Sequence, residues 1–310
     1  MTRIKRTLTV AAAALSSALV LSACGSNSSP LEEEGADTDN SQASEEAIVI
    51  GSQDYYSNEI IAEAYAQALE NAGYEVDRQF RIGQREAYLP EIEAGDIDLF
   101  PEYSGPVLQY WEPDTEARLP DDVYAELEEA APDGLNVLEQ SPATDQDSYV
   151  VTQEFADEWD LETVEDLDKV TEPLTLGANS EAESRPNGPE GLAETYGIEV
   201  GFSPIEDSGG PLTVKALQDG DVQMAIIYTA DPSIEANDLV SLEDTKGLFL
   251  SSNVVPLASD KVDEEAAQII NDVSAAMSPD DLISLNNRSV TDQLPAAEIA
   301  KDWLEEKGLI

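Results

Sequence analysis

From residue 47 onward the chain alternates short apolar runs with amphipathic stretches, the pattern of strands followed by helices. Ala47 to Ile50 reads as a strand ending at Gly51-Ser52. With Ser57 as a candidate N-cap, Ile60, Ile61, Ala64, Tyr65, Ala68 and Leu69 then share one helical face that closes at Gly73. Tyr74, Val76, Phe80 and Ile82 alternate with polar residues as a second strand would, and Gly83 leads into a helical stretch carrying Tyr88, Leu89 and Ile92. Gly95-Asp96 turns into a further strand at Ile97, Leu99 and Phe100. Such alternation predicts an α/β sheet with helices on its faces, in which ligands sit beyond the carboxyl ends of the strands.

An internal echo suggests that this arrangement occurs twice. Gly95-Asp96-Ile97-Asp98-Leu99-Phe100-Pro101-Glu102-Tyr103 and Gly220-Asp221-Val222-Gln223-Met224-Ala225-Ile226-Ile227-Tyr228 both run Gly-Asp turn, apolar strand, Tyr, with eight positions from Gly to Tyr. Each of two lobes would then present a Tyr at the end of a strand. Ala143 to Ser148, followed by Tyr149-Val150-Val151, reads as one crossing between lobes, and Leu250 to Pro256 as a second. Two crossings make a hinge, with lobe I at 47–145, lobe II at 146–250 and a return to lobe I at 251–310. Glu264 to Met277 and Ala296 to Trp303 carry helical spacing that would pack on the first lobe. Trp111, Trp159 and Trp303 fall in helical or capping contexts and read as packing.

Composition narrows the chemistry. The 310 residues include 66 Asp and Glu against 15 Lys and Arg, a formal charge of -51, which excludes nucleic acid as a partner because phosphate binding needs a basic face. With no His and a single Cys, the chain has no Ser-His or Cys-His catalysis, no zinc site of the His/Cys type and no internal disulfide. The acidic clusters Glu32-Glu33-Glu34 and Asp260 to Glu265 lack the spaced ligands of a calcium loop, so no metal and no cofactor is expected. Paired carboxylates need neither His nor Cys, so a glycosidase using Asp54 and Glu102 is the enzymatic alternative.

The first 46 residues have a different character. Arg3, Lys5 and Arg6 precede the apolar and small-residue run Leu8 to Val20, too short to span a bilayer comfortably, which predicts a secretory signal over residues 1–23. Leu21-Ser22-Ala23-Cys24-Gly25 resembles the lipobox of bacterial lipoproteins, making Cys24 a lipid anchor. Residues 24–46, rich in Ser, Asn, Asp, Glu and Gly, are expected to form a flexible acidic tether because they have little apolar surface to offset their ordering entropy. Removing the signal leaves 15 - 3 = 12 basic residues. Such an acidic body would work outside the membrane, tied to it by lipid.

Five ordered blocks carry a family resemblance: Ile50-Gly51-Ser52-Gln53, Gly95 through Gly105, Ser184-Arg185-Pro186-Asn187-Gly188, Gly209 through Leu217, and Asn253-Val254-Val255-Pro256-Leu257. From about residue 47 to the C-terminus they resemble the glycine betaine, carnitine and choline binding proteins of osmoprotectant ABC transporters, the OpuAC/ProX-like family. The resemblance implies a two-lobed periplasmic-binding-protein fold of type II character, closing on one small ligand. It also implies a monomeric lipoprotein receptor that delivers its ligand to a permease and an ATPase. By resemblance, Tyr103, Tyr149 and Tyr228 fall on cage positions, and Gln53 and Arg185 on positions that bind the ligand's carboxylate or neighbouring polar atoms. A trimethylammonium group has no N–H to donate, so aromatic faces are the expected partners, each worth about 0.5–2 kcal/mol.

Two departures bear on specificity. The chain has Tyr103-Ser104-Gly105-Pro106 where the family often has Tyr-Thr-Gly-Thr, and Ser252 before Asn253 where a fourth cage Tyr often stands. The box is therefore incomplete, with Tyr55 or Tyr56 available to fill the opening, and the same fold would suit choline or an amino acid derivative. Arg185 is expected to favour a zwitterion over a bare cation.

Overall fold

The computed structural model describes residues 47–310, so the signal segment, Cys24 and the tether lie outside the described residues. In chain order the first elements are β1 (Ile48–Gly51), α1 (Tyr56–Ala72), β2 (Val76–Gln79), α2 (Arg85–Ala94), β3 (Leu99–Tyr103), α3 (Ser104–Trp111), α4 (Pro120–Ala130) and β4 (Leu135–Val137). Then follow β5 (Asp147–Thr152), α5 (Gln153–Trp159), β6 (Thr175–Ala178), α6 (Pro189–Tyr196), β7 (Gly201–Pro204), α7 (Pro211–Asp219), β8 (Met224–Tyr228), α8 (Ser233–Ala236) and β9 (Leu239–Ser241). The chain closes with β10 (Val254–Ser259), α9 (Glu264–Ala276), α10 (Pro279–Val290) and α11 (Ala296–Lys307).

These strands form two five-stranded sheets of the same plan, ordered β2-β1-β3-β10-β4 and β7-β6-β8-β5-β9. In each, three parallel strands are followed by an antiparallel strand that the chain supplies on crossing from the other sheet. β10 runs antiparallel to β3, pairing Val254 with Tyr103, and β5 runs antiparallel to β8, pairing Asp147 with Tyr228. This is the two-lobed α/β plan with two crossings that the sequence pattern predicts. The two crossings lie side by side at an isolated antiparallel bridge between Thr144 and Asn253. Asp145 N–H donates to the Ser252 carbonyl at 3.1 Å, and Ser252 Oγ donates to the Asp145 carbonyl at 2.9 Å.

The Gly-Asp echo has a local cause. Gly95 and Gly220 cap α2 and α7 with φ of 78° and 76°, in the left-handed region that glycine enters without a Cβ penalty. Each cap reverses the chain into the central strand of its sheet, and each strand ends in the echoed Tyr.

Helix α1 is buried on most of its surface. Ile60, Ile61, Tyr65 and Leu69 pack with β1 and β3 in one core that also takes in Ile270 of α9 and Trp303 and Leu304 of α11. The small residues Ala62, Ala64, Ala66 and Ala68 are 0–3% exposed and leave room for those neighbours. The C-terminal helices thus return to the first sheet. A second core gathers Tyr149, Leu176, Leu192, Met224 and Phe249 around the other sheet.

Several local expectations are corrected. α1 begins at Tyr56, with Tyr55 as N-cap; Ser57 lies inside the helix, and its hydroxyl is buried without a partner. The second strand stops at Gln79, because Arg81 adopts a left-handed φ of 58° and its N–H turns to Ser52 Oγ. Helix α10 was not anticipated; Ser278 and Asp281 form a capping box at its start, with Pro279 in the first turn. No helix among the described residues is long and apolar enough to cross a membrane.

Candidate functional site

Tyr103 closes β3 and Tyr228 closes β8, so equivalent strands of the two sheets deliver one ring each to the space between them. Both line an inner chamber of about 20 Å³ together with Gln53, Tyr55, Asp145 and Asp147. Arg85, Pro106 and Arg185 line this chamber and also an adjoining cavity of about 480 Å³. Of the five predicted residues, Gln53, Tyr103, Arg185 and Tyr228 line this chamber.

Tyr149 is the exception. It is fully buried in the core of the second sheet, its ring 4.6 Å from that of Phe249, and its hydroxyl donates to the Asn187 carbonyl at 2.7 Å. It lines neither the chamber nor the larger cavity. Asp147, two positions earlier, lies on the same face of β5, but it stands at the strand's start, beyond the core that buries Tyr149, and reaches the cleft instead.

Tyr55 lines the same chamber as Ser252. Its ring centroid lies 4.6 Å from Tyr228 and 4.7 Å from Tyr56, and its hydroxyl donates to Asp145 Oδ2 at 3.1 Å. Tyr56 donates to Asp231 at 2.7 Å. Tyr55, from the first sheet's leading loop, thus packs directly on Tyr228 of the second. Burial, then the neighbouring Asp145 and Tyr56, raises the Tyr55 hydroxyl well above its ordinary pKa, so the ring is neutral. Tyr103 OH and Gln53 Nε2 are buried without hydrogen-bond partners.

Arg185 does not present a free fork. Its Nε and Nη2 donate to Glu86 at 3.0 and 2.9 Å, and Nη2 lies 3.4 Å from Gln84 Oε1. A carboxylate of the other lobe, from the first turn of α2, has taken the place expected for a ligand. Just beyond Arg185 the Pro186 carbonyl packs on Gly191 of α6, where a Cβ would stand 1.6 Å from the carbonyl oxygen.

The second cleft cation, Arg85, was missed by sequence reasoning. Its Nε and Nη2 donate to the two oxygens of Glu102 at 2.8 and 3.1 Å, and Glu102 is fully buried. Glu102 also accepts from Tyr88 OH and, at 2.5 Å, from the Tyr103 backbone N–H. Burial opposes the Arg85 charge, but Glu102 more than compensates and holds its pKa up. The rarity that singled out Arg185 among 12 basic residues applied equally to Arg85. Glu102 is consumed by this network, which removes it as the acid or base of a carboxylate-pair glycosidase; Asp54 is exposed.

Asp145 and Asp147, also missed, lie on the crossing segment. Asp145 accepts from Ala230 N–H at 2.9 Å as well as from Tyr55, and burial pushes its carboxyl up to about 7 despite those bonds. Asp147 accepts from Asn187 Nδ2 at 3.1 Å; burial raises its pKa, opposed by the fields of Arg185 and Arg85. No group of three or more Asp, Glu, Cys or His side chains with metal-binding geometry occurs among the described residues.

Comparison with known proteins places this site in context. A family model for the substrate binding domain of ABC-type glycine betaine transport systems matches residues 46–306. The glycine betaine-binding protein YehZ of Escherichia coli is 23% identical over 276 residues, covering 84% of this chain and 90% of that protein. The carnitine transport binding protein OpuCC of Listeria monocytogenes is 26% identical over 164 residues, 52% of this chain and 53% of that one. A crystal structure described as a glycine betaine/carnitine/choline ABC transporter superposes with a TM-score of 0.68 at 21% identity, covering 84% of this chain and 99% of the other.

Proposed function

We propose that this chain, which belongs to the family of substrate-binding domains of ABC-type glycine betaine transport systems, captures a quaternary ammonium compound between Tyr103 and Tyr228. The observation that carries the reading is the delivery of these two rings to one chamber by equivalent strands of the two sheets, with Tyr55 packed on Tyr228. Neutral tyrosine faces attract a trimethylammonium group without hydrogen bonds, at about 0.5–2 kcal/mol per ring. The present chamber is too small for that group while Tyr55 rests on Tyr228, so the ligand enters as these rings part.

Lobe I comprises 47–145 and 251–310 and lobe II 146–250, turning about the paired crossings at Thr144 and Asn253. The printed names of the relatives, a glycine betaine-binding protein and a carnitine transport binding protein, support a ligand of this class. Proteins of this family serve importers from outside the cytoplasmic membrane. Here the chain would be tied to the membrane through a lipid on Cys24, with residues 24–46 as leash, and would meet its permease and ATPase as a monomer without cofactor or turnover.

Titration calorimetry of the purified protein with glycine betaine, choline, carnitine, proline betaine and a panel of amino acids tests the reading. At least one methylated ammonium compound is expected to bind and no amino acid to compete with it. Binding confined to amino acids, or metal-dependent hydrolysis of a substrate by the purified chain, would overturn it.

A further inference from the structure

We infer that Asp145 and Asp147 are specificity-determining residues, and that they select a ligand with net positive charge, a quaternary ammonium alcohol, over a zwitterion carrying its own carboxylate. This rests on the quaternary ammonium reading above. The charges of the cleft divide into partnered and unpartnered sets. Arg85 is paired with Glu102 at 2.8 Å and Arg185 with Glu86 at 2.9 Å, so each guanidinium already has a carboxylate of its own. Asp145 and Asp147 line the same chamber, and neither has a Lys or Arg nitrogen within 4.0 Å among the described residues.

Asp145 is buried and Asp147 half-buried, and neither has an ion-pair partner, so their charged forms lose hydration against neutral hydrogen bonds and, for Asp147, only the fields of guanidiniums already paired elsewhere. A bound cation would relieve that cost. A zwitterion would bring a third carboxylate into a chamber whose two guanidiniums are committed, and would have to displace Glu86 or share Arg85 with Glu102. Asp145 is 3% exposed, so solvent screens this balance weakly.

The neutral polar groups agree with the charges. Gln53 Nε2 and Tyr103 OH are both buried at the chamber without partners. An amide N–H2 needs an acceptor, whereas a phenol can donate or accept. A ligand hydroxyl satisfies both, accepting from Gln53 and donating onward to Tyr103 or an Asp oxygen. Pro106, which replaces a hydroxyl that would donate to a carboxylate, lines this chamber as well.

The test compares choline, glycine betaine and the uncharged choline isostere 3,3-dimethyl-1-butanol by calorimetry on wild type, Asp147→Asn and Asp145→Asn. Wild type is expected to bind choline at least tenfold more tightly than glycine betaine and to bind the isostere more weakly still. Asp147→Asn should weaken choline about tenfold while leaving glycine betaine unchanged or improved. Glycine betaine binding more tightly than choline to wild type would overturn the inference and leave the quaternary ammonium reading standing. An Asp147→Asn variant that loses both ligands equally while retaining the wild-type melting profile would also overturn it. Failure of every trimethylammonium compound to bind would remove both. The wild-type comparison needs no variant, so a poorly folding mutant cannot mask the answer.

Discussion

Arg185 reaches from lobe II to lobe I and grips Glu86, with Nε 3.0 Å and Nη2 2.9 Å from the two carboxylate oxygens. Gln84 Nε2, two residues away, donates to Ser208 Oγ at 3.1 Å and extends the same seam. Burial raises the Glu86 pKa, but the bonds from Arg185 outweigh it and hold the carboxyl below the ordinary range. The pair therefore ties the segment after β6 to the first turn of α2.

Breaking this ion pair should loosen the contact between the two sheets' loops. Glu86 is 41% exposed and Arg185 20%, so solvent screening limits the coupling to about 0.5–1 kcal/mol in spite of the bidentate geometry. Glu86→Ala and Arg185→Ala are each expected to weaken ligand binding a few-fold, and the double variant little further. Calorimetric double-mutant cycles measure this, with small-angle scattering reporting a larger radius for the ligand-free variants.

The tyrosines separate by position. Tyr103→Ala and Tyr228→Ala should each cost about 1–3 kcal/mol of ligand affinity through loss of a ring face. Tyr103→Phe should cost less than Tyr103→Ala, because it keeps the ring face and gives up only a hydroxyl that has no partner in the ligand-free chain. Tyr149→Phe, by contrast, leaves the Asn187 carbonyl without its donor and should lower stability by about 1 kcal/mol while changing affinity less than twofold. Melting curves and calorimetry on the three positions distinguish these outcomes.

Glu102→Gln is expected to be severely destabilising, by about 3–5 kcal/mol, since it strands the Arg85 guanidinium in a buried site. Replacing both partners with apolar residues of similar size should recover much of the loss. Urea denaturation monitored by tryptophan fluorescence reads both variants.

Asp145 gives a pH dependence of defined sign. Its carboxyl titrates at about 7 in the folded chain, against about 3.9 when unfolded. The native state therefore binds more protons between these values, and its stability falls as pH rises from about 4 through 7, with no further loss above. Asp145→Asn keeps one oxygen to accept from Ala230 N–H and places an amide N–H2 that can donate to the Tyr55 hydroxyl, and should remove this loss, gaining about 2–4 kcal/mol relative to wild type at pH 8. Denaturation midpoints of the ligand-free proteins at pH 4.5 and pH 8 provide the check.

The sequence by itself determined the α/β alternation, the duplicated Gly-Asp turn with its terminal Tyr, the two crossings and the family blocks. These are local or periodic features: a strand or helix face is written in residue spacing, and a left-handed cap in a glycine such as Gly95. Tertiary structure decided which charges are free. Arg185 looked like a ligand-binding cation because it is rare, yet Glu86, 99 positions earlier, folds onto it. Arg85 and Glu102 meet across the turn between α2 and β3, and Asp145 and Asp147 stay unpartnered only because every nearby cation is already taken. Tyr149 matched a cage position, but it lies two residues further along the crossing strand than Asp147, inside the second core, where its hydroxyl finds the Asn187 carbonyl. Charge pairing and facing depend on distances between segments remote in sequence, and spacing along the chain does not carry those distances.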